Sequence, residues 1–477
     1  MKTVLTTLLY ILITAFCCPA EPSVTIKKIK PDGRCGDYYE VVLDFDHEDD
    51  YQAHFTMGKK YAEAVLKAYY RGDYEKSISS YIRYSVAALR LDGLKYNDFM
   101  GRTSDLMEKF DDSSDEFYLY GAEIEGMASV MNSYEHGHVD NDNVFYCCFP
   151  ENQLSLKEIF LINFFTDVFS NNGCTSLSVW DRLRPDNNPF LDGGPLVGKN
   201  TDFSQGFSWD GHTGKISSMH AVHYFKNQGS KKDVISIGFL GCLLVSEKGV
   251  NQDGLFVGEN ISRYRENYNE SYGKTSVNAV MRHCLENFDA VDDASLYIQD
   301  GKSYAHGNLI TLADTHDVRI VENSYMGSSI REYDSILRTD PVGVVTHADV
   351  DPPAVWNYEL FEGPVLAATN SFQLQDQPEN HRESSQYRLG TIESMMLAMD
   401  DDGIVTEGEL IEILSQGERN GGQNNVFRTE YNATLQSLVY DPRRQTIMIH
   451  FAPCPFVVKR PALPDYIDLH LGFIGDP

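Results

Sequence analysis

The residues with the clearest chemical content are Asn171-Asn172-Gly173-Cys174-Thr175-Ser176. A cysteine directly after a glycine, deep inside the chain, suits a polypeptide that cuts itself before that cysteine. The Cys174 thiol would attack the Gly173 carbonyl in an N-to-S acyl shift, and hydrolysis would free Cys174 as a new N-terminus. One residue then carries both a nucleophile and a base. A free thiol has a reference pKa of about 8.5 and an α-amine one of about 7.7–8.0. The amine can therefore take the thiol proton, directly or through one water. If the chain cuts itself in this way, the protein is expected to be an amide-processing enzyme made as an inactive precursor. Papain-like chemistry is the rival for a lone cysteine, but its local Cys-Gly-Ser-Cys-Trp signature is absent. The acidic run Asp400-Asp401-Asp402-Gly403 with Glu409 partly resembles a calcium loop. Its first ligand position falls on Ala398, which has no carboxylate. No metal and no cofactor are expected.

The elements around Cys174 must deliver it to a sheet. Leu156–Phe169 has apolar residues at helical spacing, with Ser155 and Glu158 forming a capping box. After Cys174, the alternation through Trp180 predicts a strand. Further upstream, residues 21–173 read as mainly helical after a short strand at Tyr38–Leu43, with helices within Met57–Leu91 and over Tyr118–Met131. Downstream, Val234–Val245 reads as buried strands. Hairpins are expected at Leu309–Ala313 with Val318–Glu322, and at Leu435–Tyr440 with Thr446–Phe451. Helices are expected at Ser276–Glu286, Ser385–Met399 and Glu407–Leu414. Antiparallel strands mixed with helices predict an α+β architecture of layered sheets covered by helices.

Composition narrows the setting. The chain has 477 residues and a formal net charge of −30, which repels nucleic-acid phosphates and argues against nucleic-acid binding. Lys2 followed by the apolar run Val4–Cys18, then Pro19-Ala20, reads as a cleaved signal peptide over residues 1–20. No later segment is long and apolar enough to span a membrane, so the mature chain is expected to lack a transmembrane segment. A secreted or lysosomal location follows as the expectation. Sequons at Asn269 and Asn432 are the glycosylation candidates. A third, at Asn260, competes with the role below. Setting Cys174 aside, Cys35, Cys147, Cys148, Cys242, Cys284 and Cys454 are disulfide candidates. Three precede the expected cut and three follow it, so if all six pair, at least one bridge crosses it.

Several segments in order resemble a known family. Cys174-Thr175-Ser176, then Gly198-Lys199-Asn200-Thr201-Asp202-Phe203, look like the N-terminal nucleophile hydrolases that cleave linear amides. The pattern is closest to the penicillin (isopenicillin N) acyltransferase-like group, related to choloylglycine hydrolase, penicillin V acylase and acid ceramidase. Gly249 to Asn260, Asn308 to Asp314 with Ile320 to Glu322, Thr369-Asn370, Ser384 to Arg388, and Tyr120 to Ala128 upstream fit the same order. The resemblance implies a four-layer αββα sandwich at residues 174–477, preceded by the mainly helical segment 21–173, the two fragments staying associated after cleavage. It implies that Asp202 holds the Cys174 α-amine and that Asn260 donates to the oxyanion. Asn370 would position the substrate or assist the oxyanion, and Arg388 would stabilise the thiolate and order the site. Lys199 stands where several relatives carry arginine. It keeps the charge but loses the planar fork, which weakens the case for a bile-acid-like substrate. The implied substrate is a small-molecule N-acyl amide or lipid amide, cleaved through a thioester on Cys174, with water or an amine as acceptor. Two other readings stay open: a phospholipase B-like lipid-ester hydrolase, and a non-catalytic secreted binding protein on the same fold.

Overall fold

The computed structural model describes residues 21–33, 35–68, 96–131, 156–168, 173–179, 194–204, 218–245, 247–262, 274–300, 302–304, 307–324, 327–331, 345–346, 355–356, 365–370, 383–399, 405–416, 432–452, 465–469 and 471. Among the described residues two sheets dominate. The larger has nine strands in the order β1 (Ser23–Ile29), β2 (Tyr38–Asp44), β5 (His220–Lys226), β6 (Val234–Phe239), β7 (Lys248–Asn251), β8 (Phe256–Ile261), β9 (Asn308–Ala313), β10 (Val318–Ser324) and β11 (Gly327–Arg331). The smaller has six, ordered β14 (Val365–Ala368), β3 (Gly173–Val179), β4 (Leu196–Ser204), β15 (Asn432–Asp441), β16 (Thr446–Phe451) and β17 (Ile467–Leu469). Two short strands, β12 (Val345–Thr346) and β13 (Val355–Trp356), pair separately. Neighbours run antiparallel throughout, except that β2 and β5 are parallel.

Alternation along the strands sorts side chains into three apolar cores, and these define four layers. Ile235, Ile237, Phe256 and Ile320 of the large sheet meet Val197, Leu366, Leu438 and Ile449 of the small one, so the sheets pack face to face. The other face of the large sheet, with Leu43, Phe225, Val257 and Val321, is covered by a helical layer. That layer holds α1 (Tyr51–Ala68), α2 (Tyr96–Asp111), α3 (Tyr118–Met131), α4 (Leu156–Asn163), α5 (Phe165–Val168), α6 (Val277–Asn287) and α7 (Val291–Gln299). The outer face of the small sheet, with Leu177, Val179 and Val439, is covered by α8 (Glu383–Met399) and α9 (Glu407–Leu414). The expected αββα sandwich is therefore present.

The strand expected at Tyr38–Leu43 is β2, and β1 is an additional strand before it; both belong to the nine-stranded sheet, where β2 pairs with β5 from Tyr39↔Ala221 to Asp44↔Lys226. Helices from residues 51–168 share one apolar core with strands beyond residue 218. A cut at Gly173–Cys174 would thus divide the polypeptide without dividing the core.

Polar contacts across the same boundary are dense. Arg282 of α6 is buried and donates to both oxygens of Glu123 on α3, at 2.5 and 2.8 Å, and to Glu286 at 2.7 Å. Its guanidinium lies 4.4 Å from the ring centres of both Tyr120 and Phe225. Glu123 also meets His54 Nδ1 at 2.6 Å. Burial favours the neutral carboxyl, but Arg282 and His54 prevail and hold Glu123 at about 2.

The cysteines correct the pairing expectation. Cys35, Cys242 and Cys284 are buried free thiols, and the latter two sit in the helix–sheet core. The premise that all six candidates pair does not hold, so the count no longer requires a bridge across the cut. Cys147, Cys148 and Cys454 lie outside the described residues, as do Asn269 and the acidic run at 400–403. Among the described residues no helix is long and apolar enough to cross a membrane, and no cluster of three or more acidic, His or Cys side chains could hold a metal.

Candidate active site

Cys174 is the second residue of β3, an interior strand between β14 and β4. α4 and α5 carry the chain toward it and are fixed from the far side. The Asp167 carboxylate accepts from Ser276 Oγ and Val277 N, each at 2.6 Å, and so caps α6. Gly173 pairs with Asp202 and Cys174 with Thr201 on β4. That register sends the Cys174, Ser176, Lys199 and Thr201 side chains into the space between the sheets. Thr175, Asn200 and Asp202 face the opposite way, toward α8 and α9.

The main chain of Cys174 is held by two of the expected residues. Its N–H donates to Asn370 Oδ1 at 3.0 Å. Arg388 of α8, itself buried, donates through Nη1 to the Cys174 carbonyl and to Thr175 Oγ1 (2.6 Å), and through Nη2 to Asn370 Oδ1 (2.6 Å). Two donors converge on one amide oxygen, which fixes the orientation of the Asn370 amide, since a flipped NH₂ would face donors. Its nitrogen donates to Ile261 O at 2.5 Å. Arg388 therefore acts on the backbone around Cys174. The cation that acts on the thiol is Lys199, which opposes a strong upward push from burial; Glu247 and Asp202 add to that push, and the thiol stands at about 12.

Lys199 and Asn260 are one unit. Lys199 Nζ donates to Asn260 Oδ1 at 2.6 Å and to the Glu259 carbonyl, and Ser176 Oγ donates to the same Oδ1 at 2.9 Å. Gly258 makes room for the lysine stem, because a Cβ there would lie 2.9 Å from Lys199 Cδ. With its oxygen fixed on an ammonium, Asn260 turns its amide nitrogen to the carbonyls of Ala368 (2.8 Å) and Thr369 (3.2 Å). The expected oxyanion donor is thus engaged with the strand that leads to Asn370. Asn260 is fully buried, which rules out a glycan there.

Asp202 lies across from the Gly173–Cys174 junction, and Thr434 Oγ1 donates to its Oδ1 at 2.6 Å. A bulge in β15 between Thr434 and Gln436 makes this possible. The extra residue lets Thr434 serve Asp202 on one face while Gln436, paired with Thr201, serves the inter-sheet space.

All five expected site residues, and Lys199, surround one point of the small sheet. Thr175, Ser176, Thr201, Thr434, Glu247, Lys248 and Gln436 were not anticipated. Thr175, Ser176 and Thr201 lie within the quoted motifs. Glu247-Lys248 had a signal of its own, two charges just after the long apolar stretch that ends at Val245. Both are buried.

A family model described as acyl-coenzyme A:6-aminopenicillanic acid acyl-transferase matches residues 192–453, more than half of the chain. The matched span holds Lys199, Asp202, Asn260, Asn370 and Arg388 and begins after Cys174. Similar solved structures include a mutant of conjugated bile acid hydrolase from Clostridium perfringens, at 13% identity and a TM-score of 0.34, covering 62% of this chain and 92% of that one. Penicillin V acylase from Agrobacterium tumefaciens is similar at 14% identity and a TM-score of 0.34, covering 62% and 86% respectively. No curated protein sequence matches the chain.

Proposed function

The chain belongs to the acyl-coenzyme A:6-aminopenicillanic acid acyl-transferase family of N-terminal nucleophile enzymes, and from that membership we propose that it cuts itself before Cys174 and then cleaves a linear N-acyl amide. The observation that carries this reading is the clamp on Cys174, whose nitrogen meets Asn370 and whose carbonyl meets Arg388. A nitrogen held in this way keeps its position when the peptide bond before it is broken. The new α-amine can still donate to Asn370 Oδ1, leaving its lone pair for the thiol proton.

Turnover then follows from these residues. The α-amine takes the Cys174 proton, and the thiolate attacks the acyl carbonyl. The developing oxyanion needs donors, each typically worth about 2.7–4 kcal/mol. Asn260 supplies one if its amide leaves the Ala368 and Thr369 carbonyls once the junction opens. The amine product leaves with the proton, and water or a second amine resolves the thioester. Asp202, across the junction, holds the α-ammonium between steps. A composition rich in phenylalanine and tyrosine permits an apolar acyl pocket. A secreted or lysosomal location is part of the proposal and rests on the leader-like residues 1–20 and the sequons at Asn269 and Asn432.

The test is acyl-enzyme capture. Purified protein is mixed with a panel of N-acyl amides and with phospholipids, quenched in acid and mapped by mass spectrometry. The expected result is an acyl adduct on Cys174 with amides, discharged by hydroxylamine. Adducts from phospholipids alone would move the assignment to ester hydrolysis. No adduct, with a Cys174 inert to thiol reagents, would leave the fold as a binding protein.

A further inference from the structure

Self-cleavage has a proton requirement that turnover does not share. Before the cut, the Cys174 nitrogen is a peptide amide whose hydrogen goes to Asn370, so it offers no base. Burial meanwhile keeps the thiol protonated. Another group must accept that proton.

The register identifies a neighbour. Thr201 is directly opposite Cys174 on β4, so both side chains leave the sheet on one face, with Cβ atoms roughly 4.5–5.5 Å apart. The Thr201 hydroxyl accepts from Lys248 Nζ at 2.8 Å and lies 3.1 Å from Glu247 Oε2. Lys248 also donates to Gln436 Oε1 at 2.9 Å. With Lys248 donating to it, the hydroxyl is left to direct its own hydrogen to Glu247. Thr201, Glu247, Lys248 and Gln436 are all buried. The αββα scaffold does not require two charged residues here, and an apolar pair would pack better between the sheets.

We propose that Glu247, acting through the Thr201 hydroxyl, takes the Cys174 thiol proton in the self-cleaving step, with Lys248 setting the direction of the relay. The proposal rests on the reading that the chain cuts itself before Cys174. Cys174 Sγ passes its proton to Thr201 Oγ as Thr201 passes its own to a Glu247 oxygen. The Sγ–C bond to Gly173 forms, and the carbonyl electron pair moves to oxygen. On collapse the C–N bond breaks, and the proton on Glu247 returns through Thr201 to the departing Cys174 nitrogen. One water then hydrolyses the thioester, leaving a Gly173 carboxylate and the Cys174 thiol. Nothing is oxidised or reduced.

The charged and titratable groups facing Glu247 are Lys248, Lys199, Asp202, Cys174, Cys242 and Glu259. Burial raises Glu247 to about 7, with Lys248 and Lys199 working against that rise. Burial also lowers Lys248 to about 7, so the two partners of the Thr201 hydroxyl lose their protons over the same range; only the carboxylate can accept a proton, and cutting accelerates as Glu247 deprotonates.

The full chain is translated in a cell-free system, and the cut fraction is followed on gels between about pH 5 and 8.5. The wild type, Glu247→Gln, Thr201→Val, the double variant and Glu247→Asp are compared. Each of Glu247→Gln and Thr201→Val is expected to slow cutting by about 10²-fold or more. The double variant should be no slower than the slower single, because the two act as one relay. The rise with pH should vanish in Glu247→Gln and return, with part of the rate, in Glu247→Asp. Cutting of Glu247→Gln within about threefold of wild type, or an aspartate variant no faster than the glutamine one, overturns the relay. A wild-type chain that stays uncut overturns the self-cleavage reading and the relay with it.

Discussion

Replacing Arg388 by lysine probes the clamp on Cys174 without removing its charge. The guanidinium uses two nitrogens at once: Nη1 reaches the Cys174 carbonyl and Thr175 Oγ1, and Nη2 reaches Asn370 Oδ1. A lysine amine is a single point at the end of a flexible stem and cannot bridge both sides of the nucleophile. One or two charged hydrogen bonds are lost, at about 1.5–3 kcal/mol each. Most of that loss should fall on the positioning of Cys174, because Asn370 keeps its bond to Ile261 and the α8 core of Leu389, Ile392 and Met396 is untouched. About 3 kcal/mol corresponds to roughly 10²-fold in rate. The assay measures self-cleavage on gels, kcat/KM of the cut enzyme on a fluorogenic N-acyl amide, and the thermal midpoint. Cutting and kcat are expected to fall by about 10²-fold, with KM and the midpoint little changed. If both rates stay within threefold of wild type, the bidentate contact does not position the nucleophile. If rates and midpoint fall together, Arg388 is chiefly structural.

Arg282→Met leaves Glu123 buried without its main cation and should cost about 3–5 kcal/mol of stability, read as a lowered urea midpoint of the purified protein. The same network sets a pH window. Glu123 is held below its ordinary value of 4.5, so its contribution is present above about 4.5 and lost as pH falls through about 2. His54 is desolvated, yet its contacts with Asp49 and Glu123 hold it above 6.5; its contribution is complete below that value and lost as pH rises through the raised one. The contribution of this pair is therefore complete between about pH 4.5 and 6.5, and Glu123→Gln should remove the part that is lost at low pH in a melting series. Lys199→Met removes the cation that opposes burial at the thiol and the donor that orients Asn260. Alkylation of Cys174 by iodoacetamide at neutral pH should slow at least tenfold; an unchanged rate would detach Lys199 from the nucleophile.

Much of the scaffold is legible in the sequence because its elements have strong periodic or capping signals. The helix at Tyr118–Met131 and the helix at Glu407–Leu414, with its Thr406–Glu409 capping box, fall where expected. So do both hairpins. β1 was missed because Lys27 and Lys28 break its alternation on an outer strand, where exposure tolerates charge. The parallel pairing of β2 with β5 joins residues about 180 positions apart, and no local pattern encodes it. The five site residues were reachable through motif order, but their partners were not. That Thr434 and Gln436 serve opposite faces depends on a bulge, and the commitment of the Asn260 amide depends on a lysine donated from another strand. The cysteine count misled because it treated buried thiols as bridge partners, whereas Cys242 and Cys284 pack as small apolar groups.

The proposed self-cleavage makes Cys174 an N-terminus. It is tested by purifying the protein from culture and reading the N-terminal sequence and intact mass of each denatured fragment. The expected result is a fragment beginning Cys174-Thr175-Ser176-Leu177, co-purifying with the fragment that ends at Gly173 and absent from Cys174→Ala. A full-length chain that hydrolyses N-acyl amides without being cut would contradict it.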